Sequence, residues 1–156
     1  MIESTNERSM SDIYDIKTYQ SRGSIGYLIN RARVELLDAL DQELAQFDVT
    51  AAQYIIIGTL AEGHADSASQ ICRGISYDPG AMTRMLDRLE QRGLIRRVRL
   101  TDDRRSVKLE LTAEGKAIYP RMRACSVTVL NRFLRGFTKA EAHQLESLLQ
   151  RMLANA

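Results

Sequence analysis

Three arginines follow one another at four-residue intervals in the middle of the chain, at Arg84, Arg88 and Arg92. A spacing of four places them on one face of a helix, and guanidinium groups bind phosphates and base edges. The opposite face of the same segment is apolar and carries Met82, Met85, Leu86 and Leu89. This pattern indicates a helix with one packed face and one cationic face. The alternative is a surface helix with solvated arginines, which Asp87 and Glu90 partly pair.

A second charged cluster, Asp102-Asp103-Arg104-Arg105, lies between two segments of alternating apolar and polar residues. Two carboxylates directly before two guanidinium groups let an acid hold an arginine in one extended rotamer. Such an arginine loses less conformational freedom when it enters a narrow minor groove of high negative potential. The cluster therefore indicates a hairpin tip that binds an anion, and a merely polar turn is the alternative.

Other residue types that carry chemistry are sparse. Cys72, Cys125, His64 and His143 do not lie at the spacing of metal ligands, and two cysteines cannot build a disulfide framework. The chain has neither a Gly-rich phosphate loop nor a Gly-x-Ser-x-Gly motif. We therefore expect no enzyme, no metal site and no cofactor.

The chain has 156 residues, of which 44% are hydrophobic and 27% are charged, as in one ordinary folded domain. Residues 1–66 hold 5 basic and 11 acidic side chains, whereas residues 67–108 hold 10 and 5. A basic middle indicates an anionic partner, although a solvated helical face explains charge alone equally well. The first residues lack the features of a signal peptide, so we expect a cytoplasmic protein.

Apolar periodicity and capping residues predict the elements that position these clusters. They are a helix over 24–47 that Ser24 caps, short helices that Thr50 and Ser67 open, a helix over 78–91, strands over 94–100 and 106–111, a helix that Thr112 caps and that reaches Phe137, and a last helix that Thr138 opens. The fold class is mainly α with a small β-hairpin, a winged helix-turn-helix flanked by terminal helices.

The terminal helices have apolar stripes that the small central unit cannot cover, which favours a symmetric homodimer. We expect four parts: a flexible segment over 1–23, a dimerisation helix over 24–49, a winged helix-turn-helix DNA-binding domain over 50–111, and C-terminal dimerisation helices over 112–156.

Three stretches carry a resemblance to a known family. The segment DPGAMTRMLDRLEQRGLIRR from Asp78, then Asp102 to Ser106, then Leu-Glu-Leu-Thr-Ala-Glu-Gly from Leu109 resemble the MarR family of bacterial transcriptional regulators. The resemblance covers roughly residues 24–153. It implies DNA binding by the winged helix-turn-helix, an obligate homodimer, and release of DNA by small, often aromatic or phenolic ligands. It also implies that Arg105 is the wing arginine and that Asp103 positions it.

The predicted function is that of a dimeric repressor released from a pseudo-palindromic operator by an aromatic or phenolic ligand. The predicted DNA contacts are Ser67, Ser69, Gly80, Ala81, Met82, Thr83, Arg84, Arg88, Asp103, Arg104 and Arg105. The predicted ligand residues are Tyr27, Arg31, Tyr54 and Met122, because an arginine beside tyrosines suits an aromatic carboxylate. Packing in a dimer core is the alternative for these four.

Two other functions stay open at this point. One is a winged-helix module that binds protein or RNA without an effector, and the other is a thiol-based redox regulator. Neither Cys72 nor Cys125 lies where the resemblance places the reactive cysteine of peroxide sensors. The chain also has no tryptophan, on which the urate-responsive group of the family relies.

Overall fold

The computed structural model describes residues 12–75, 77–99 and 107–156. Its elements are α1 (Ile25–Leu44), a 3₁₀ turn (Ala45–Phe47), α2 (Ala51–Ala61), α3 (Ala68–Ile75), α4 (Pro79–Gln91), β1 (Ile95–Arg99), β2 (Val107–Leu111), α5 (Ala113–Phe133) and α6 (Lys139–Leu153). The predicted fold class is confirmed. One boundary was wrong, because α5 ends at Phe133 and the chain turns through Gly136, whose φ is 91°, before α6 begins.

The chain divides into two compact units, residues 1–34 and residues 35–156. In the first unit the start of α1 is capped twice. The Ser24 hydroxyl accepts a hydrogen bond from the Tyr27 N–H at 3.3 Å, as predicted, and the Tyr14 hydroxyl accepts one from the Ile25 N–H at 2.9 Å. These bonds satisfy N–H groups that have no partner within the helix.

Side-chain caps set the starts of the later helices, and four of the predicted ones are confirmed: Thr50, Asp78, Thr112 and Thr138. Ser67 forms only half of the predicted capping box. Its hydroxyl accepts from the Gln70 N–H, but the Gln70 side chain accepts from the Asp66 N–H at 3.0 Å. The sequence signal for helix starts is therefore reliable, since capping depends on residues within one turn.

The core of the second unit lies between α2, α4, the hairpin base and α5. Its fully buried side chains are Leu44, Ile56, Ile57, Ile71, Met82, Leu86, Leu89, Leu94, Ile95 and Met122. Burying each such side chain contributes roughly 1.5–3 kcal/mol relative to exposure. The apolar face of α4 thereby fixes which of its residues face outwards.

The junction of the hairpin and α5 is unusually close. The Thr112 N–H donates to the Leu94 carbonyl at 3.1 Å, and the Thr112 hydroxyl donates to the Gly93 carbonyl at 2.5 Å. A Cβ on Gly115 would lie 2.1 Å from the Leu94 carbonyl oxygen. Only glycine fits at this point, which explains the Leu-Thr-x-x-Gly pattern.

The two strands form an antiparallel hairpin in which Ile95 lies opposite Leu111 and Arg99 lies opposite Val107. A further backbone bond links this hairpin to the loop before α3, because the Leu109 N–H donates to the Asp66 carbonyl at 2.7 Å. The wing strands are therefore joined to both ends of the helix-turn-helix.

Among the described residues, no single helix is long and apolar enough to cross a membrane. Only α1 and α2 taken together, as a bent pair, have the length and composition of a membrane span.

A hydrogen bond from the Tyr119 hydroxyl to the Glu62 carboxylate, 2.7 Å long, links α5 to the end of α2. The Tyr119 ring stacks on Tyr54 with 6.2 Å between centroids. Burial, together with the hydrogen bond to Glu62, raises the pKa of Tyr119 to about 12.

This pKa has a consequence for stability at high pH. Because the folded pKa of Tyr119 lies above its ordinary value of 10.0, its stabilisation is complete below pH 10 and is lost as the pH rises towards 12. We expect urea midpoints to fall over this window, and to fall less steeply in Tyr119→Phe. Equal slopes for parent and variant would contradict this account of Tyr119.

Candidate nucleic-acid interface

The exposed side of α4 is the centre of the candidate interface. Gly80, Thr83, Arg84 and Arg88 are exposed and Ala81 is half-buried, so the structure brings these predicted DNA-contacting residues together on one surface. The prediction that Met82 contacts DNA is wrong. It is 1% exposed and packs in the core, because it shares the inner helix face with Leu86 and Leu89.

The first turn of α4 does not offer free Gly80 and Ala81 amides to a phosphate. The Asp78 carboxylate accepts hydrogen bonds from the Gly80 and Ala81 N–H groups at 2.9 and 3.1 Å. These donors are occupied, and the capping carboxylate adds a negative charge at the tip. This turn offers close approach to a groove floor rather than an anion site.

The predicted row of three arginines separates into two groups. Arg84 and Arg88 make neither a hydrogen bond nor an ion pair with any described residue. Arg92 turns inwards: one guanidinium nitrogen donates to the Phe47 carbonyl at 2.8 Å, and the other lies 3.2 Å from Asp48. Arg92 therefore attaches the end of α4 to the loop before α2, and the exposed cationic face consists of Arg84 and Arg88.

Sequence reasoning missed the residue that binds Asp87 and Glu90. These acids do not pair with the α4 arginines; both bind the guanidinium of Arg97 on β1, with 2.7 Å to Asp87. Two acids three positions apart on a helix, followed by an arginine-rich strand, were the available signal. Pairing of Asp87 and Glu90 with the arginines of their own helix is therefore not what the structure has, and Arg84 and Arg88 are exposed to solvent.

The start of α3 adds hydroxyl groups to the same helix-turn-helix. Ser69 is exposed and Ser67 is half-buried, with 3.4 Å between their hydroxyl oxygens. Ile71 is fully buried and anchors α3 to the core. Exposed serine hydroxyls in a first helical turn are typical hydrogen-bond donors to phosphate.

The predicted wing contacts Asp103, Arg104 and Arg105 lie outside the described residues, between the end of β1 and the start of β2.

The predicted ligand residues fall in two units. Tyr54 and Met122 belong to one core, where Met122 is fully buried and Tyr54 stacks on Tyr119. Tyr27 and Arg31 lie in the first unit, where Tyr27 is 38% exposed. A cavity of about 780 Å³ lies elsewhere, between the loop before α3, β2 and α5; its lining includes His64, Gln70, Lys108 and Lys116.

The described part of the chain holds no group of three His, Cys, Asp or Glu side chains able to bind a metal ion. Cys72 and Cys125 are free thiols, both half-buried. The Gln46 side-chain nitrogen lies 3.7 Å from the Cys125 sulfur. Among the described residues, the candidate site consists of Arg84 and Arg88 on α4 and the serines at the start of α3.

A helix-turn-helix with an outward cationic helix and an adjoining hairpin defines a winged-helix DNA-binding protein. The MarR family model matches residues 49–107. PecS, a transcriptional regulator of Dickeya dadantii, is 32% identical over 94% of this chain and 86% of its own length. MdtR, a transcriptional repressor of Bacillus subtilis, is 31% identical over 78% of this chain and 76% of its own length.

The solved structures agree with these relatives. A mutant MarR from E. coli, crystallised with operator DNA, has a TM-score of 0.74 at 29% identity, covering 82% of this chain and 92% of that one. The chain belongs to the MarR family of transcriptional regulators. Its relatives are regulators rather than enzymes, which is consistent with the absence of a catalytic motif in the sequence.

Proposed function

We propose that this protein is a dimeric, sequence-specific repressor that a small aromatic or phenolic ligand releases from a pseudo-palindromic operator. The observation that carries the proposal is the outward pair Arg84 and Arg88, which no described acid neutralises. Unpaired guanidinium groups displace condensed counterions from DNA, so the affinity falls steeply with salt. The name of the B. subtilis relative and the operator complex of the E. coli relative support this proposal. The protein acts in the cytoplasm, where the bacterial chromosome lies.

In the proposed complex α4 enters the major groove. Thr83, Arg84 and Arg88 face base edges and phosphates, while Gly80 and Ala81 allow the helix to approach the groove floor. Ser67 and Ser69 bind phosphates of the DNA backbone. Arg105, held by Asp103 and accompanied by Arg104, enters the adjacent minor groove.

The proposed dimer uses the terminal helices over 24–49 and 112–156. No residue of α6 is buried within the described chain, although the helix is rich in leucine. The large apolar residues left exposed on α5, α6 and their connection are Val127, Leu130, Phe133, Phe137, Leu145, Leu148, Leu149, Met152 and Leu153. A two-fold dimer covers such a surface and presents two α4 helices to half-sites about 10 base pairs apart.

The role of α4 is tested by Arg84→Ala against Arg92→Ala. Both variants remove one positive charge, from the middle of α4 at Arg84 and from the residue directly after α4 at Arg92, but only Arg84 faces outwards. If Arg84 reads a guanine, its loss costs about 1 to 3 kcal/mol of operator affinity and changes preference at one or two positions per half-site. Arg92→Ala should reduce stability and leave base preference unchanged. Selection from a randomised operator library measures both, and an unchanged profile for Arg84→Ala would reject its base contact.

The wing is tested separately through Arg105→Ala. We expect weaker binding and less preference for AT-rich flanks, because the narrow groove is where an inserted arginine gains most. Asp103→Ala should give a milder form of the same defect. Binding as tight as that of the parent at physiological salt would reject the wing assignment.

The effector is tested by titrating aromatic acids and phenols against the operator complex. Tenfold release requires about 1.4 kcal/mol of coupling between the two sites. Tyr27 and Arg31 of the first unit are the proposed ligand residues, and Tyr27→Ala should weaken the response while leaving operator affinity intact. Compounds that shift neither operator affinity nor the melting temperature would argue for a DNA-binding protein without such an effector.

A further inference from the structure

A forked ion pair joins the proposed recognition helix to the wing. The Arg97 side chain on β1 reaches both Asp87 and Glu90 on α4, with 2.7 Å to the Asp87 carboxylate and a second ion pair to the Glu90 carboxylate. The Arg97 backbone N–H also donates to the second Glu90 oxygen, at 3.1 Å. Three bonds thus attach one strand residue to one helix face, and we name this group the Arg97 clamp.

The neighbouring arginine on β1 has a different partner. Arg96 binds Glu110 on β2 at 2.8 Å and so spans the hairpin itself. Successive strand residues point to opposite sides, so one arginine holds the two strands together and the other holds the hairpin to α4. Arg96 is therefore a natural control for Arg97, with the same charge on the same strand.

The Arg97 guanidinium stays charged in the clamp. Burial alone would lower the pKa of Arg97, but hydrogen bonds to Asp87 and Glu90 outweigh it and raise that pKa. The Arg97 side chain is 32% exposed, and the acids are 50% and 37% exposed. Ion pairs this open to solvent contribute little to global stability, so their effect is mainly on geometry.

We propose that Arg97 is a positioning residue for DNA recognition, which holds the wing strand and α4 at the one spacing that lets both reach the operator. The proposal rests on the proposed function. Two-point binding loses affinity when the two points move independently, because their relative position must then be ordered on binding.

Neutralising Asp87 and Glu90 separates an electrostatic effect on DNA binding from a positioning effect of the Arg97 clamp. Replacing both acids, in Asp87→Asn with Glu90→Gln, removes two negative charges beside Arg84 and Arg88. Electrostatics alone would then tighten DNA binding. Loss of the clamp should instead weaken it, in the same direction as Arg97→Ala.

The experiment combines hydrogen exchange on the free protein with operator binding. In Arg97→Ala we expect faster exchange of β1 amides, including that of Arg97, and at least tenfold weaker operator binding. Footprints should lose protection at the wing-contacted flanks and keep it over the half-site centres. Arg97→Lys should recover part of the affinity, since it restores charge without the fork. Arg96→Ala should bind within about twofold of the parent.

Any other result rejects the clamp, its positioning role or the proposed function. Unchanged exchange in Arg97→Ala would reject the clamp, whatever happens with DNA. Faster exchange with unchanged affinity, while Arg84→Ala still weakens binding, would reject the positioning role and leave the proposed function intact. Tighter binding by the doubly neutralised variant would also reject it. A parent protein without operator preference would reject the proposed function, and the role of the clamp with it.

Discussion

Leu148→Glu is expected to leave the protein monomeric and to abolish operator binding at concentrations where the parent binds. Leu148 is 46% exposed on α6 and shares one face with Leu145, Leu149 and Met152. A two-fold interface buries each substitution twice, so every dimer would contain two unpaired carboxylates. We expect the dimer Kd to rise at least 100-fold, about 2.8 kcal/mol, as measured by sedimentation over a concentration series.

Gln150→Glu is the matched control for this change. Helical periodicity places Gln150 on the opposite side of α6, where the same added charge stays in water. This variant should sediment and bind DNA like the parent. A Leu148→Glu protein that remains dimeric at the same concentrations would show that α6 does not form the interface.

The second large effect is expected for Gly115→Ala. The added methyl group would meet the Leu94 carbonyl oxygen at 2.1 Å, and this neighbour is backbone that cannot rotate away. The start of α5 would have to separate from the hairpin base, which strains the bonds from Thr112 to Gly93 and Leu94. Overpacking of this kind costs about 3 kcal/mol.

Gly74→Ala is the control for Gly115→Ala, and chemical unfolding measures the free energy of unfolding of both variants. Gly74 lies in α3, and a Cβ there would meet nothing within 4 Å. Removing a helical glycine should leave the free energy of unfolding unchanged or raise it by up to about 1 kcal/mol. A Gly115→Ala protein as stable as the Gly74→Ala protein would disprove the close approach of α5 to Leu94.

The local features of the fold followed from the sequence. Helix starts at Thr50, Asp78 and Thr138 were predicted because each cap involves residues within one turn. The inner face of α4 was predicted from its 3.6-residue period. The same period places Met82 inside, and its inclusion among the DNA contacts was inconsistent with that pattern.

The partners of charged side chains did not follow from the sequence. Arg92 binds Phe47 and Asp48, which lie more than forty positions earlier, and Arg97 takes both acids that α4 offers. A flexible guanidinium chooses among many acids and carbonyls, and only the folded chain decides which are near. Predictions that used helical spacing alone therefore counted Arg92 as exposed and overlooked Arg97.

The backbone bond between Leu109 and Asp66 has a consequence for the order in which this chain folds. It closes a loop of about 40 residues around α3 and α4, and ordering a loop of that length costs entropy that local helical contacts do not. The two helices can complete their own hydrogen bonds within short segments, whereas this closure must wait for β2 to be synthesised and to return. Residues 66–99 are therefore synthesised before their bond to Leu109 can form, and a chain truncated ahead of β2 would lack this link between the hairpin and the loop before α3.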